Sequence, residues 1–424
     1  MNDRTKLFVA ALLAVICACG VNQGSKQIQN EYPLSFVMTV RNPAPFDRKD
    51  EIVSLSPGEI PGSVALFNPD AAVVLHRGRE LASQAVDGDG DGHTDRFVFL
   101  SDFKAGEARA FVIHTAADGV KVRAYPKRTQ AELSRKTGGR FVKRVYEGGV
   151  FENVSSIRVP PEHTDHSFDI RYEGPGWESD RAAYRLYLDW RNAIDMFGKK
   201  IPDMVLQDVG QDGFDSYHSM LDWGQDVLKV GPSLGLGSLG MWLKGKAERV
   251  AVTDSVFCRI TSNGPVFSSV RILYSGWKIG GNKYRLTSDL SITAGDRLTK
   301  HAIAMDQNPV NLCTGIVRMD GTAVLNGPTE GKWSYLATWG RQSLAGDSLG
   351  LAVFFRNGDR IQMAEDQHSH VVVLKPRDGE LTYYLAGCWE QEPGGVRSLA
   401  AFKTWLSHTV ERLGAPLQIV PPGE

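Results

Sequence analysis

The residues best able to do chemistry crowd into positions 173–240. Glu178, Asp180 and Arg181 follow Trp177, Arg191 follows Trp190, and Tyr217, His218, Asp222, Trp223 and Lys229 share one short stretch. Histidine titrates near neutral pH and a tyrosine hydroxyl can give or take a proton, so Tyr217 and His218 are the candidate acid–base pair. Arg181, Arg191 or Lys229 could neutralise a substrate carboxylate. Glu178 with Asp180 or Asp222 could instead supply the two carboxylates of a glycoside hydrolase. Glycines at 210, 213, 224, 231, 235, 237 and 240 mark irregular backbone, where functional loops tend to lie. Indole planes beside carboxylates and amides suit sugars, whose CH face stacks while the hydroxyls hydrogen-bond. On that reading Trp177, Trp223, Trp339 and Trp389 are platforms and Arg191 a further substrate contact. Plainer roles compete: Arg185 and Tyr187 fit the solvated face of a strand, Trp190 and Trp242 fit a core, and Glu178, Asp180 and Arg181 fit a structural ion network.

Other motifs carry less. Asp87, Asp89, Asp91 and Asp95, with Gly92 between them, match the start of a calcium loop, yet position 12 is Val98 rather than glutamate and a strand pattern follows. An Asp/Gly turn explains the same letters; any calcium here would be structural. His368 and His370 alternate by two and would share a strand face, but no third metal ligand is identifiable. Gly235, Gly237 and Gly240 spell GxGxxG without a βαβ unit around them, which excludes a nucleotide site. GxSxG around Ser233 and Ser348 lacks the strand–turn–helix of a nucleophile elbow.

The elements that must position these groups are mostly strands. Short Val- and Phe-rich runs between turn residues over 34–120 predict a small N-terminal β-sandwich. Longer period-two runs over 146–424 predict a large two-sheet β assembly. One helix, Leu399 to Leu413, sets Phe402, Leu406, Val410 and Leu413 on one face and stops at Gly414. Residues 121–145 hold nine Lys or Arg up to Arg144 against Glu132 alone; we read them as a basic connector, the sharper alternative being a basic wall facing an acidic substrate.

The chain has 424 residues, 42% hydrophobic and 23% charged, with a formal net charge of −1. That is a globular profile, and it recommends no nucleic-acid partner. Residues 1–18 read as a lipoprotein signal peptide: Arg4 and Lys6, then the apolar run Leu7–Ala18, too short for the roughly 20 residues of a membrane span. Cys19 would carry the lipid and 19–33 would be a tether, placing the protein in the cell envelope with no other membrane contact. Cys258, Cys313 and Cys388 sit in apolar settings and read as buried thiols; one disulfide stays open, a disulfide framework does not.

The runs YEGPGWESDRAAYRLYLDWRNAIDMFGKK, DGFDSYHSMLDWGQDVLKVGPSLGLGSLGMW and TYYLAGCWE resemble a Bacteroidetes secreted-lipoprotein family of unknown function, over roughly residues 34–413. Its members tend to occur with polysaccharide-utilisation genes, beside pectin- and uronate-degrading enzymes. The resemblance implies a large C-terminal β-supersandwich of the galactose-mutarotase-like kind, and an acidic, pectin-like oligosaccharide as partner, degraded by β-elimination or glycoside hydrolysis. A non-catalytic glycan-binding lipoprotein and a sugar mutarotase or epimerase are the alternatives. None of these chemistries requires a cofactor.

Overall fold

Period-two alternation of apolar and polar side chains builds most of this chain, because each strand must bury one face. The computed structural model describes residues 26–56, 67–213 and 216–420. The chain folds as two units: one of residues up to 125 plus the C-terminal end from Leu417, the other spanning Pro126–Pro416, with residues 88–90 grouped with the second.

The first unit is a β-sandwich. A five-stranded sheet runs Gln418–Val420, Leu34–Arg41, Ala108–Thr115, Ala72–His76, Arg79–Leu81; a three-stranded sheet runs Arg48–Leu55, Arg96–Phe103, Ser83–Val86. Met38, Val40, Val53, Leu55, Phe97, Phe99, Phe111 and Ile113 fill the core. Two expectations change here. Residues 26–31 are helical rather than part of a tether, and Ile28 and Tyr32 pack on Val73 and Leu75. The sandwich also takes its edge strand from the C-terminus, which a domain boundary at 120 leaves out. Cys19 and the signal segment lie outside the described residues.

The second unit is built on a nine-stranded antiparallel sheet, in spatial order Ser156–Arg158, Ser255–Asn263, Phe267–Ile279, Asn282–Thr293, Thr299–Met305, Glu380–Trp389, Leu349–Arg356, Trp333–Gly340 and Ala323–Asn326. Two five-stranded sheets share one core with it. One contains Lys246–Arg249, Gly240–Leu243, Leu312–Val317, Ser369–Leu374 and Arg360–Glu365. The other, which positions the site, runs in spatial order β5 (Gly224–Asp226), β4 (Ile194–Lys199), β3 (Ala183–Leu186), β2 (Gly176–Ser179), β1 (Thr129–Glu132). Along Leu349–Arg356 the two faces separate cleanly: Leu349, Leu351, Val353 and Phe355 join the inter-sheet core, whereas Ala352 and Phe354 meet the helix α1, Leu399–Gly414. Ser398 caps α1 by accepting the Ala401 amide, and Phe402 and Leu406 are buried beneath it. The architecture is therefore mainly β, a sandwich followed by a β-supersandwich, with one long helix near the C-terminus.

Of residues 121–145 only 121–128 lack regular structure, and the boundary between the two units falls among them; the rest is strand and turn. Thr129–Glu132 is β1, fully buried, and Ser134–Thr137 and Arg140–Val142 pair with Val150–Asn153 and Val145–Glu147 as successive parts of a two-stranded ribbon. Five of the nine basic residues, Arg135, Lys136, Arg140, Lys143 and Arg144, lie along that ribbon, so charge density hid its strand pattern. Cys258, Cys313 and Cys388 are all buried free thiols. Among the described residues no helix is long and apolar enough to cross a membrane.

Candidate functional site

The outward face of the β1–β5 sheet is charged and yet buried. β2 turns Trp177 inward and Glu178 outward; β3 does the same with Tyr184 and Arg185, and β4 with Met196 and Asp195. Glu178 accepts from Lys199 Nζ at 2.5 Å, from Gln130 Nε2 at 2.6 Å and from the Val205 and Leu206 amides. Every carboxylate oxygen is satisfied and the residue has no exposure, so Glu178 holds the covering segment 200–209 rather than meeting a substrate.

Tyr217 and His218 end the same row. Arg185 donates to Asp195 at 2.7 Å, to Asp226 at 2.6 Å and to the Tyr217 hydroxyl at 3.0 Å. Tyr187 donates to Asp195. Burial, and then repulsion by Asp195, push the Asp226 carboxyl well above the usual range, with Arg185 pulling the other way. Burial likewise raises Tyr217, so it keeps its proton at neutral pH. The Tyr217 side chain is enclosed, while His218 is half-exposed with Nε2 3.6 Å from Asp226. The expected pair stays together, its rings 4.6 Å apart, with the imidazole at the surface and the phenol packed on Phe197.

Of the remaining candidate residues, Trp223 joins Tyr217, both packing on Phe197, and the others lie apart. Trp177 is buried, donating to Thr299 Oγ1 and lying against Tyr184. Trp389 is buried and bonded to Asp347, and Trp339 packs on Phe402 of α1. None of the three presents a plane to a ligand, because the inter-sheet and helix–sheet cores claim the largest side chains. Trp223 is partly buried against Phe197. Asp180 is held by Arg128 and the Gly295 amide, and Arg181 by the Pro393 carbonyl. Asp222 is exposed just before β5, and Lys229 is exposed at a different cleft. Arg191 is clamped by Asp165, Glu173 and Asp189 and stacked 4.0 Å from the Tyr187 ring centroid; burial opposes its charge, but the carboxylates hold it protonated.

What the structure does bring together surrounds the 189–192 turn. A cleft of about 630 Å³ is lined by Arg144, Arg158, His163, Asp189, Trp190 and Asn192 among others. Trp190 is 51% exposed there, the one indole among the described residues at this level of exposure. A second cleft of about 380 Å³, lined by Arg135, Lys136, Tyr146 and Asp169, shares Arg158 and Pro160 with the first. The basic ribbon is therefore a wall. Its Lys136 and Tyr146 amides bond to the carbonyls of Asp169 and Ser167, and Arg144 caps the Pro161 and His163 carbonyls.

Those bonds fix a loop holding an imidazole–carboxylate dyad. His163 Nδ1 lies 2.7 Å from Asp169 Oδ1, which also accepts from Ser167 Oγ at 2.6 Å. Burial works against the Asp169 charge, but the His163 hydrogen bond keeps the carboxyl below its usual range. The other ring nitrogen of His163, Nε2, is buried with no protein partner among the described residues. His166, Phe168, Tyr172, Glu173 and Asn192 all have φ between 37° and 69° in this neighbourhood, the kind of backbone cost that gathers at functional sites. Sequence reasoning passed over His163, Asp169 and Arg158; the available signal was the polar run HTDHSFD directly after the basic ribbon.

Two groups have metal-ligand proximity. Ligand atoms of Asp165, His166 and Glu173 lie within 4.8 Å of one another, but Arg191 already neutralises both carboxylates. In the aspartate loop, Asp87 accepts from the Asp91 and Gly92 amides and Asp91 from the His93 amide, as in a self-capped turn.

The chain belongs to the family described as Domain of unknown function (DUF4861), which matches residues 40–419. No curated protein matches it. Among solved structures it is similar to an alpha-mannosidase from Enterococcus faecalis V583, at 9% identity and a TM-score of 0.46, covering 94% of this chain and 48% of that one. A protein in the Glycosyl Hydrolase Family 38 from Enterococcus faecalis gives 9% identity and a TM-score of 0.43, covering 91% and 47%. The chain thus spans about half the length of these structures.

Proposed function

We propose that the protein is carbohydrate-active and cleaves uronate-containing, pectin-like oligosaccharides by β-elimination in the paired clefts around Arg158. The observation that carries this reading is the composition of the site: an exposed indole plane, cationic walls and one imidazole whose Nε2 lacks a protein partner. Elimination needs a cation on the uronate carboxylate, a base for the C5 proton and an acid for the leaving oxygen. Arg144 and Arg158 supply the charge. His163, held by Asp169 through Nδ1, is the base for the C5 proton; its side chain is only 1% exposed in the wall of the larger cleft, so Nε2 meets the sugar only when that wall opens. The electron pair forms the C4–C5 double bond, the C4–O bond breaks, and the leaving oxygen takes a proton from Tyr146. That hydroxyl accepts the Gly139 amide and so has its proton to give. Hydrolysis fits less well, because the carboxylates lining the larger cleft, Asp189 and Asp254, are both ion-paired.

The test is incubation with oligogalacturonides, following ultraviolet absorbance of the conjugated double bond together with product mass. New absorbance without added water, lost in His163→Gln while binding persists, is the expected result. A gain of one water per cleavage would replace elimination with hydrolysis. Binding with no product would leave a glycan-binding protein, the reading that Trp190 and the arginines support on their own. We also propose lipidation at Cys19 and an envelope location; labelled fatty acid that still incorporates into Cys19→Ser would overturn it.

A further inference from the structure

Arg249 joins the Trp190 cleft to another one. Its guanidinium lies over the Trp190 ring, 5.5 Å from the centroid, and its Nη1 donates to the Ser233 carbonyl at 3.2 Å. Ser233 lines a separate cleft of about 460 Å³ together with Lys229, Arg318, Arg341 and His368. Asp320 is the single carboxylate in that lining. The cations there are weakly committed. Arg318 reaches Glu365 at 3.8 Å and the Asp366 carbonyl at 3.5 Å, Arg341 gives one bond to the Gly346 carbonyl, and Lys229 is exposed with no bonded partner among the described residues. Leu344, exposed by 45%, and Met319 add an apolar patch against which a sugar ring could lie.

We infer that this cleft is a second subsite for an anionic saccharide, and that the ligand is a chain running from Trp190 past Arg249 to Lys229. The inference rests on the proposed saccharide function and names what that reading leaves open, the length of the ligand. A chain engaging both clefts gains the second contact intramolecularly, so affinity rises steeply once it can span them. A single residue or disaccharide reaches one cleft only.

Calorimetric titration of the full chain with oligogalacturonides from the disaccharide to the octasaccharide tests this. The longest are expected to bind at least about tenfold more tightly than the disaccharide. In Lys229→Ala/Arg318→Ala that gain should vanish while disaccharide affinity stays within about threefold, and both exposed truncations should leave the melting temperature unchanged. Length-independent binding by the native protein, or a gain that survives the double variant, would overturn the second subsite and leave the proposed function standing. Absence of binding at every length would overturn both.

Discussion

Lys199 and Glu178 illustrate a choice made at the scale of single residues. Both side chains are fully enclosed, 2.5 Å apart, and the lysine also donates to the Ser179 carbonyl at 2.7 Å. A buried charge costs little only while its partner is present. Lys199→Met should therefore lower stability by about 3–5 kcal/mol, because Glu178 would be left buried without its counter-ion. Adding Glu178→Gln should recover much of that loss, since glutamine asks for no counter-ion; equal instability of the single and double variants in urea titrations would contradict the account. The same residue-level logic explains what sequence could see. A structural role for Glu178 and Asp180 was legible, whereas Arg185 and Tyr187, which fitted a solvated strand face, are buried and bonded to Asp195. His163 and Asp169 were not legible, because their pairing depends on a loop turned by left-handed His166 and Phe168.

At the scale of elements, each strand of the nine-stranded sheet must suit two environments, and His301 records the cost. It sits on Thr299–Met305 facing the inter-sheet core, its Nε2 at 2.5 Å from Ser288 Oγ and its ring 4.9 Å from that of Tyr383. Burial pushes its pKa down to about 3 from 6.5. Above 6.5 the imidazole is neutral folded or unfolded and contributes no pH dependence. Below 6.5 the unfolded chain binds the proton and the folded one does not, so stability falls until the pH approaches 3. Relative to His301→Gln, the native chain should lose about 1.4 kcal/mol per pH unit in that window. Urea midpoints whose difference stays constant between neutral and acidic pH would refute it. Element types were readable here because alternation and length are local: strands, helix α1 and buried cysteines all follow from them. The ribbon over 134–153 was not, since its strands are short and its charges mimic a solvated linker.

For the whole molecule, the chain order matters more than any one strand. The path leaves the first unit near Tyr125, builds the second, and returns at Leu417. There Val420, Ile419 and Gln418 pair with Thr39, Val40 and Arg41, while Leu417 and Ile419 pack on the core that holds Met38 and Val40. No local pattern announces such a return, because three residues carry no period and their partner lies far back in the sequence. The consequence is that the N-terminal sandwich completes its sheet only once the rest of the chain has been made. A chain ending at Pro416 should keep the second unit's exchange protection unchanged. It should lose protection by about tenfold or more at those amides of residues 39–41 that point toward residues 418–420 rather than toward 108–110, and expose a bare strand edge prone to pairing with other chains. Full protection of the amides facing 418–420 in that truncated chain would show that the sandwich closes without its last strand, and that the pairing by 418–420 is an addition to a finished fold.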